Sequence, residues 1–518
     1  MISSKMQTQI ETSPAESLGV DALAIICFEA DANQVAETSG RNAVASSTTP
    51  DPEIAAQSGW LADLRATGEF TGKLYETAML HRPQGVSAKR IVVVGGGKRD
   101  KFSTVEARRI GGVLVRNLKG KGVRNIALLV AAEPAADYVT AVVEGALLGD
   151  WEPNKYKTDP KKADKQVDSF TVTVPGGDSN SLTAAAQRGR IIAESQNLTR
   201  DLANEPANKL TPAALAEAAH QMATEFGLEY ECLDQDAMAK LGMGALLGVA
   251  QGSSNPPFLV VIKYRPSMLP GGPSSGDHLA LVGKGVTFDT GGISIKPSEG
   301  MEKMKYDMAG AAAVIGAMRA IAQLKPAIPV TGYVPTVENM VNGNAQRPGD
   351  IVTSLSGKTI EVLNTDAEGR LILADAITYA HRNGATHIVD AATLTGAIGI
   401  ALGHYNAGAF TNDEAFLKRL LAASREAGEK IWQLPMDEEY KDYLKSAFAD
   451  LPNIGGRYGG SITAAWFLRE FADPTPWIHL DIAATAWLDD SKSWMAKGPT
   501  GVAVRTFVQL ASRWDRAE

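Results

Sequence analysis

The sequence predicts an α/β protein of two domains, a smaller N-terminal α/β domain and a larger C-terminal domain with a mixed central sheet flanked by helices. Three observations lead to this prediction. The chain has 518 residues, more than a single hydrophobic core usually supports. Short apolar runs alternate with helical stretches along most of its length. The 50 glycines exceed the average usage of about 7%, which favours many tight loops.

The N-terminal region has four apolar runs of strand length, separated by helical patterns. Strands are predicted at 22–28, 91–94, 125–130 and 169–174, and helices at 104–118 and 135–148. Strands that alternate with helices indicate a mainly parallel sheet covered on both faces. Residues 1–180 are therefore predicted to form one α/β domain, with a role in assembly or regulation.

A connecting helix at 181–206 is predicted to follow, and the second domain then occupies residues 207–518. Thr211 can cap a helix in which Pro212 suits the first turn. Further strands are predicted at 258–263, 279–282, 328–334, 359–363 and 387–391, with helices at 309–324 and 371–382.

Composition argues against several classes of protein. The net charge of −8 argues against a general nucleic-acid binder, while leaving local basic patches open. The longest apolar runs are far too short to cross a bilayer, and residues 1–19 have no apolar stretch of signal-peptide length. The two cysteines, Cys27 and Cys232, are predicted to be buried thiols in a reducing compartment. We therefore expect a cytoplasmic protein without a membrane partner.

The first chemically unusual segment begins where the strand at 279–282 ends. Lys284, Asp289 and Lys296 stand there among Gly, Thr and Ser residues, and Asp307 precedes an apolar helix. Glycines of this kind let the backbone approach a ligand closely. Each charged residue also has an ordinary interpretation, since Asp307 could cap the following helix and Lys284 could be a surface lysine.

The second segment is the string Asn-Thr-Asp-Ala-Glu-Gly-Arg at 364–370, again between a strand and a helix. It supplies Asp366, Glu368 and Arg370. Ligands of open α/β sheets bind beyond the carboxyl ends of the strands, where both segments lie. The alternative is that Asp366 and Glu368 are ordinary loop acids near a helix N terminus, where the helix dipole stabilises negative charge.

Four carboxylates at one site would repel each other and would need cations. Oxygen ligands of this type suit hard divalent metals. The seven histidines show no His-Glu-x-x-His spacing, which argues against a one-zinc protease of that type.

Because of these charged residues and their spacing, the segments 282–297 and 364–370 resemble the signatures of the leucyl aminopeptidase family, also called cytosol aminopeptidases. The likeness runs from about residue 204 to the C terminus. It implies a metallo-exopeptidase that releases N-terminal amino acids, preferentially leucine and other apolar residues, from peptides by metal-activated water. It also implies two divalent ions per subunit, Mn²⁺ or Zn²⁺ with Mg²⁺ as a third candidate, and a homohexamer.

The resemblance assigns a role to each charged residue of the two segments. It implies that Asp289 and Glu368 bridge the two ions, that Lys284 and Asp307 complete one shell, and that Asp366 completes the other. Lys296 and Arg370 are implied to be the catalytic cations, and Arg370 also to hold a bicarbonate ion.

The pocket for the first side chain of the peptide is also assigned by resemblance. Its expected residues are Met304, Asn364, Thr393, Leu394, Gly396, Ala483 and Ala486. This chain has Ala484 where glycine is expected in the family, and one added methyl group there could narrow the range of substrates.

A DNA-binding or regulatory role, in addition to or instead of peptidase activity, is the alternative from a different class. Basic segments at 116–124 and 155–165 favour it. The net charge of −8 and the lack of a tight basic cluster with aromatic residues argue against it.

Overall fold

The structure is a computed structural model that describes residues 6–29, 58–131, 134–159, 166–266 and 276–515. The chain divides into two compact units, Met1–Glu194 with Asp490–Lys497, and Ser195–Asp489 with Gly498–Glu518. The division falls inside a single long helix, Ser179–Asn204, at the place where a connecting helix is predicted. The segment 490–497 belongs to the first unit although it lies near the C terminus.

The first unit is built on a six-stranded sheet. Its strands are β1 Gln7–Glu11, β2 Ala22–Cys27, β3 Thr77–His81, β4 Arg90–Gly95, β5 Asn125–Leu129 and β6 Ser169–Thr173. The order across the sheet is β1-β6-β5-β2-β4-β3. All neighbouring pairs are parallel except β3 with β4, so the predicted mainly parallel sheet is confirmed.

Helices cover both faces of this sheet. They are α1 Ser58–Thr67, α2 Thr104–Lys119, α3 Ala135–Asp150 and α4 Ser179–Asn204. Alternate residues of β2 enter two different cores: Ala22 and Ala24 pack with α2 and α3, whereas Leu23 and Ile25 pack on the opposite face. A strand buried on both faces reads as a continuous apolar run, which is the pattern that predicted it.

The second unit contains the remaining elements. Its helices are α5 Pro212–Glu225, α6 Gln235–Leu241, α7 Gly244–Ala250, α8 Ala309–Leu324, α9 Gly369–Arg382, α10 Gly396–Leu402, α11 Glu414–Ala427, α12 Gly460–Ala472 and α13 Val504–Ser512. Its strands are β7 Glu229–Leu233, β8 Phe258–Tyr264, β9 Leu279–Gly283, β10 Gly285–Asp289, β11 Val330–Asn339, β12 Ile351–Thr353, β13 Thr359–Glu361, β14 His387–Ala392, β15 Ala407–Thr411, β16 Ile431–Gln433, β17 Leu451–Pro452, β18 Trp477–Asp481, β19 Trp487–Leu488 and β20 Gly498–Pro499.

Nine of these strands form the central sheet. Its order is β16-β15-β18-β14-β9-β11-β8-β7, with β10 pairing β11 beyond the point where β9 ends. Strands β18, β14, β9 and β11 are mutually parallel, whereas β15, β8 and β7 introduce antiparallel pairs. The mixed sheet predicted for this domain is confirmed, and its four parallel strands end at one edge.

Several features differ from the sequence prediction. The polar N terminus contributes an edge strand, β1, and no strand was predicted after residue 391, although β15 to β18 lie there. Cys27 is buried as predicted, but Cys232 is exposed on β7 at the sheet edge, so the prediction of a second buried thiol was wrong. Among the described residues, none of the helices has both the length and the apolar character needed to cross a bilayer.

Candidate metal centre

Lys284 lies between β9 and β10 and is almost completely buried, with 4% of its side chain exposed. Its ammonium group contacts Asp307 Oδ1 at 2.9 Å, Glu368 Oε1 at 2.8 Å and the carbonyl oxygen of Thr393 at 2.8 Å. An ammonium group has three donors, so every one of them is used. The interpretation of Lys284 as a surface lysine is wrong.

A glycine makes room for this side chain. A Cβ atom at position 369 would lie 2.7 Å from Lys284 Cε and 2.8 Å from Lys284 Nζ. Gly369 is the first residue of α9, directly after Glu368. The glycine of the 364–370 string therefore lets the lysine reach the carboxylate beside it.

Lys296 forms the second cationic contact of the cluster. Its ammonium group lies 2.7 Å from Asp289 Oδ2 and also contacts Asp366 Oδ1. The side chain is 21% exposed, so this contact lies on the open side of the cluster. The Lys296 amide donates to the carbonyl oxygen of Thr290 at 2.9 Å, which fixes the loop that carries it.

Asp289, the last residue of β10, is oriented by two donors that the sequence analysis did not connect to it. Its Oδ1 accepts from the Gly291 amide and from Asn339 Nδ2, both at 2.8 Å. Asn339 ends β11 and also donates to the Thr365 carbonyl oxygen at 3.0 Å. A polar residue at the end of a buried strand was the signal that could have identified Asn339.

Asp307 does not cap the helix that follows it. The residue at the N-cap position of α8 is Met308, and within the described part of the chain this helix has no side-chain capping hydrogen bond. The carboxylate of Asp307 instead contacts Lys284 and accepts a hydrogen bond from Thr393 Oγ1 at 2.7 Å. Glu368 occupies the N-cap position of α9, but among the described residues its side chain makes no capping hydrogen bond, and its carboxylate contacts Lys284. The interpretation of Asp307 as a helix cap is therefore wrong, whereas Glu368 does lie at the N terminus of α9, where the helix dipole also favours a carboxylate.

The electrostatics follow from four carboxylates facing two ammonium groups. Burial raises the pKa of Asp307 well above its usual range, although Lys284 opposes the rise. Burial, reinforced by the charge of Asp289, likewise raises the pKa of Glu368. For Lys284, burial opposes the charged form, but the surrounding carboxylates outweigh it and the pKa is raised. The four carboxyl groups of the cluster outnumber its two lysines.

The residues present fit divalent metal ions. Asp289, Asp366 and Glu368 each offer an oxygen atom, and these atoms lie within 4.8 Å of one another. Asp307 Oδ2 and Glu368 Oε2 are buried without a hydrogen-bond partner in the part of the chain that the structure describes. A buried carboxylate oxygen without a partner is costly, and a hard cation would satisfy both oxygens.

Arg370 is buried beside the cluster. Its Nη1 donates to the Asn453 carbonyl oxygen at 2.8 Å, while its Nε is buried without a hydrogen-bond partner among the residues that the structure describes. Burial lowers the pKa of Arg370 to about 10, against the opposing effects of Glu368 and Asp481. Asn453 also accepts from the amides of Leu363 and Asn364, so this residue, which the sequence analysis missed, links Arg370 to the 364–370 string.

The structure connects the expected pocket residues to the cluster in different ways. Thr393 contacts Asp307 directly, and the Met304 carbonyl oxygen accepts from the Asp307 amide at 3.4 Å. The Asn364 side chain accepts from the Asp366 amide at 2.8 Å. Leu394 and Ala483 are joined through Asp481, to which both donate their amides, at 3.3 and 3.2 Å.

Gly396 and Ala486, the other two expected pocket residues, follow Leu394 and Ala483 closely in the chain. Gly396 begins α10, and an added Cβ there would meet no atom of the described residues within 4 Å. The amide of Ala486 donates to the Ile482 carbonyl oxygen at 2.9 Å. Ala484 is buried, and its Cβ lies 3.6 Å from the position of a Cβ built on Gly399.

Both units of the chain match family models. Residues 197–508 match the cytosol aminopeptidase family, catalytic domain, and residues 45–160 match the cytosol aminopeptidase family, N-terminal domain. A probable cytosol aminopeptidase of Solibacter usitatus is 57% identical over 510 residues, covering 98% of this chain and 100% of that protein. One of Alkaliphilus metalliredigens is 44% identical, with 88% and 92% covered.

Solved structures resemble the whole chain. A mutant of tomato leucine aminopeptidase superposes with a TM-score of 0.87 at 34% identity, covering 99% of this chain and 97% of that one. A bottromycin maturation enzyme, BotP, in complex with Mn superposes with a TM-score of 0.82 at 34% identity, covering 96% and 99%. The DNA-binding alternative finds no support in these matches.

Proposed function

Because this chain belongs to the cytosol aminopeptidase family and is a metal-dependent aminopeptidase, we propose that it holds two divalent ions and releases apolar N-terminal residues from peptides. The proposed ligands are Lys284, Asp289, Asp307, Asp366 and Glu368. The observation that carries this proposal is the pair of buried carboxylate oxygens, on Asp307 and Glu368, that no donor of the described chain satisfies. When bound, the ions would supply Lewis acidity, a water of lowered pKa and an anchor for the free amine of the substrate.

Lys284 can act as a ligand only as a neutral amine. Its raised pKa arises from Asp307, Glu368 and Asp289, which outweigh the effect of burial. These carboxylates are also proposed ligands, so a dication bound to them would compete directly with the proton of Lys284. Metal binding is therefore expected to release protons and to weaken as the pH falls.

Lys296 is the proposed donor to the reacting carbonyl. Its side chain lies at the open side of the cluster and keeps a fifth of its surface exposed. In the substrate complex the ammonium group would donate a hydrogen bond to the carbonyl oxygen of the scissile bond. That oxygen gains negative charge as the tetrahedral state forms, so the contact is stronger in the transition state than in the ground state.

Arg370 is proposed to hold a planar anion such as bicarbonate at the edge of the cluster. One of its nitrogens is committed to the Asn453 carbonyl, whereas its buried Nε has no partner among the described residues. A guanidinium fork matches a planar oxyanion. The guanidinium would place such an anion where it can accept a proton from the attacking water.

The remaining proposals concern the substrate pocket, the identity of the metal, the oligomeric state and the location in the cell. We propose that the pocket is formed by Met304, Asn364, Thr393, Leu394, Gly396, Ala483 and Ala486, that the methyl group of Ala484 narrows the range of substrates, and that leucine is a preferred first residue. Manganese is the first metal to test, because one similar structure is described as a complex with Mn. A homohexamer working in the cytosol, with residues 1–180 serving assembly, completes the proposal.

The test is hydrolysis of leucine p-nitroanilide by the purified full chain, with metal counted on the same sample. After EDTA treatment, activity is expected to vanish, and Mn²⁺ or Zn²⁺ is expected to restore it at two ions per chain. Restoration at one ion per chain would contradict the two-ion centre. A chelated protein that keeps full activity would contradict the metal mechanism altogether.

A further inference from the structure

We propose that Asp481 is a positioning residue that sets the geometry of both the metal centre and the side-chain pocket by fastening the loop 393–395. This inference rests on the proposed function, because it concerns how that site is held. Asp481 is the last residue of β18 and is completely buried. It contributes no ligand in the proposed centre.

Four hydrogen bonds converge on the Asp481 carboxylate. Oδ1 accepts from the amides of Leu394, Thr395 and Ala483 at 3.3, 3.4 and 3.2 Å. Oδ2 accepts from the Thr395 hydroxyl at 2.6 Å. Charge-assisted hydrogen bonds of this kind are stronger than neutral ones, so one carboxylate fixes two separate chain segments relative to each other.

The fastened loop leads directly to the proposed metal ligands. Thr393 comes next to Leu394, and its carbonyl oxygen accepts from Lys284 Nζ at 2.8 Å. Its hydroxyl donates to Asp307 Oδ1 at 2.7 Å. Thr393 therefore contacts two proposed ligands, Lys284 and Asp307, and a shift of the loop would disturb both of them together.

The same carboxylate holds two expected pocket residues. Leu394 precedes α10 and Ala483 follows β18, and their amides meet on one oxygen of Asp481. Thr395 caps α10 by accepting from the Ile398 amide at 3.2 Å, and its hydroxyl also lies 2.8 Å from that of Ser461 on α12. Loss of the carboxylate would free both walls of the pocket at once.

A charged residue suits this place because other buried charges surround it. Asp481 lies two residues after His479 on β18, so both side chains are on the same face, and His479 contacts Asp390 Oδ1 at 2.6 Å on the neighbouring strand β14. The charges of His479 and Arg370 also act on Asp481. The four side chains are buried, and they can form an alternating series of two acids and two bases. Mutual compensation of this kind lowers the cost of burying each charge.

The experiment compares Asp481→Ala with Asp375→Ala. Asp375 is a matched control: it is also completely buried, and its carboxylate accepts the amides of Leu246 and Leu355, away from the loop. Mn²⁺ affinity is measured by calorimetry on each full-length, metal-stripped protein. Asp481→Ala is expected to weaken one of the two Mn²⁺ sites about 10- to 100-fold, the usual effect of losing a residue that orients ligands, whereas Asp375→Ala leaves both unchanged.

Substrate selectivity gives a second readout that a loss of stability alone would not move. The ratio of kcat/KM for leucine p-nitroanilide over alanine p-nitroanilide is expected to fall in Asp481→Ala through a raised KM for leucine. Asp481→Asn keeps an oxygen for the three amides and is expected to restore most of the ratio. A folded Asp481→Ala protein that matches Asp375→Ala in Mn²⁺ affinity and in this ratio would overturn the proposal.

A milder pair of variants covers the case in which Asp481→Ala does not fold. Thr395→Val removes the hydroxyl donor, and Thr395→Ser keeps it. The proposal expects weakened Mn²⁺ binding in the first and near-normal binding in the second, and equal behaviour of the two would contradict it. Failure of the proposed function is distinguishable, because the unmodified protein would then bind no Mn²⁺ or release no p-nitroaniline.

Discussion

The acidic cluster has two sides, one formed by Lys284 with Asp307 and Glu368, the other by Lys296 with Asp289 and Asp366. Each side contains one lysine and two carboxylates, but the surroundings of the two lysines differ. Lys284 is 4% exposed and gives all three donors to protein acceptors, one of them a backbone carbonyl. Lys296 is 21% exposed and contacts two carboxylates, one of which, Asp366, is itself 34% exposed. A buried lysine whose three donors are all in use has no access to a substrate, whereas a partly exposed lysine can reach one.

This difference separates two roles that look alike in the sequence. Both lysines stand in a glycine-rich stretch only twelve positions apart, and neither has a neighbour that identifies its role. The proposed roles, Lys284 as a ligand and Lys296 at the reacting carbonyl, follow this difference in burial and in the number of acceptors. Three substitutions test this division, in decreasing order of the expected effect, and a fourth tests a buried carboxylate that contacts neither lysine.

The largest effect is expected from Asp289→Asn, which acts on both sides. Asp289 contacts Lys296 directly, and its charge also raises the pKa of Lys284. Loss of the proposed bridging carboxylate should abolish both metal retention and turnover, as measured by metal analysis after gel filtration and by leucine p-nitroanilide hydrolysis. Asp489→Asn, which removes an exposed acid paired with Lys303, is the control. A fully metallated, active Asp289→Asn protein would disprove the bridging role.

Lys296→Ala should separate turnover from metal binding. Removing one donor to a developing oxyanion costs about 10²- to 10³-fold in kcat. The metal content should stay at the unmodified level, since Lys296 is not a proposed ligand. The control is Lys303→Ala, which removes a lysine paired with the exposed Asp489. Lys303 lies on the 3₁₀ helix Met301–Tyr306. If kcat is unchanged in Lys296→Ala, its assigned role is wrong.

Gly369→Ala should act on the Lys284 side alone. The new Cβ would lie 2.7 Å from Lys284 Cε, and the side chain cannot move away without losing one of its three partners. We expect Mn²⁺ binding about tenfold weaker at one site. Gly120→Ala is the matched control, because its Cβ would meet no atom within 4 Å and its φ is −67°. Equal Mn²⁺ affinity in both variants would show that Lys284 has more freedom than its contacts suggest.

The smallest effect is expected for Asp375, a buried carboxylate whose hydrogen-bond donors are backbone amides and not a lysine. Burial raises the pKa of Asp375 to about 7, although the amides of Leu355, Leu246 and Ala245 oppose the rise. A carboxyl group whose pKa is raised on folding stabilises the fold most at low pH, and this contribution is lost as the pH rises through about 7.

The measurement is the free energy of unfolding of the unmodified chain minus that of Asp375→Asn, followed from pH 5 to pH 8. The difference should decrease by about 1.4 kcal/mol for each pH unit up to pH 7 and then level off. Taking the difference cancels groups that titrate alike in both proteins. A difference that does not change with pH would mean that the backbone amides keep Asp375 ionised throughout.

Much of the fold could be predicted because its strands and helices are long and strongly apolar. The helix predicted at 309–324 is α8, Ala309–Leu324, and the strands at 22–28, 91–94 and 125–130 lie within two residues of β2, β4 and β5. The short strands β12, β16 and β17 were not predicted, since two or three residues carry no periodicity. Strand β1 was missed because it is a polar edge strand with alternating burial.

The acidic and basic residues of the candidate centre could be found from two segments alone, and the structure brings all of them together. Asn339, Asn453 and Asp481 could not be found in this way. Each lies outside both segments and more than 40 positions from a residue that it orients, as with Asn339 and Asp289. The ligand roles, the pocket and the hexamer remain predictions.

The sequence by itself determined the fold class, the membership of a family and the identity of the charged groups, because periodicity and short motifs are local properties of the chain. Only the tertiary structure decided which lysine is buried, which carboxylate oxygens are left without donors and which distant residues hold the loops. The reason is that burial and hydrogen-bond partners depend on the ends of β9, β11, β14 and β18 meeting at one edge of the sheet.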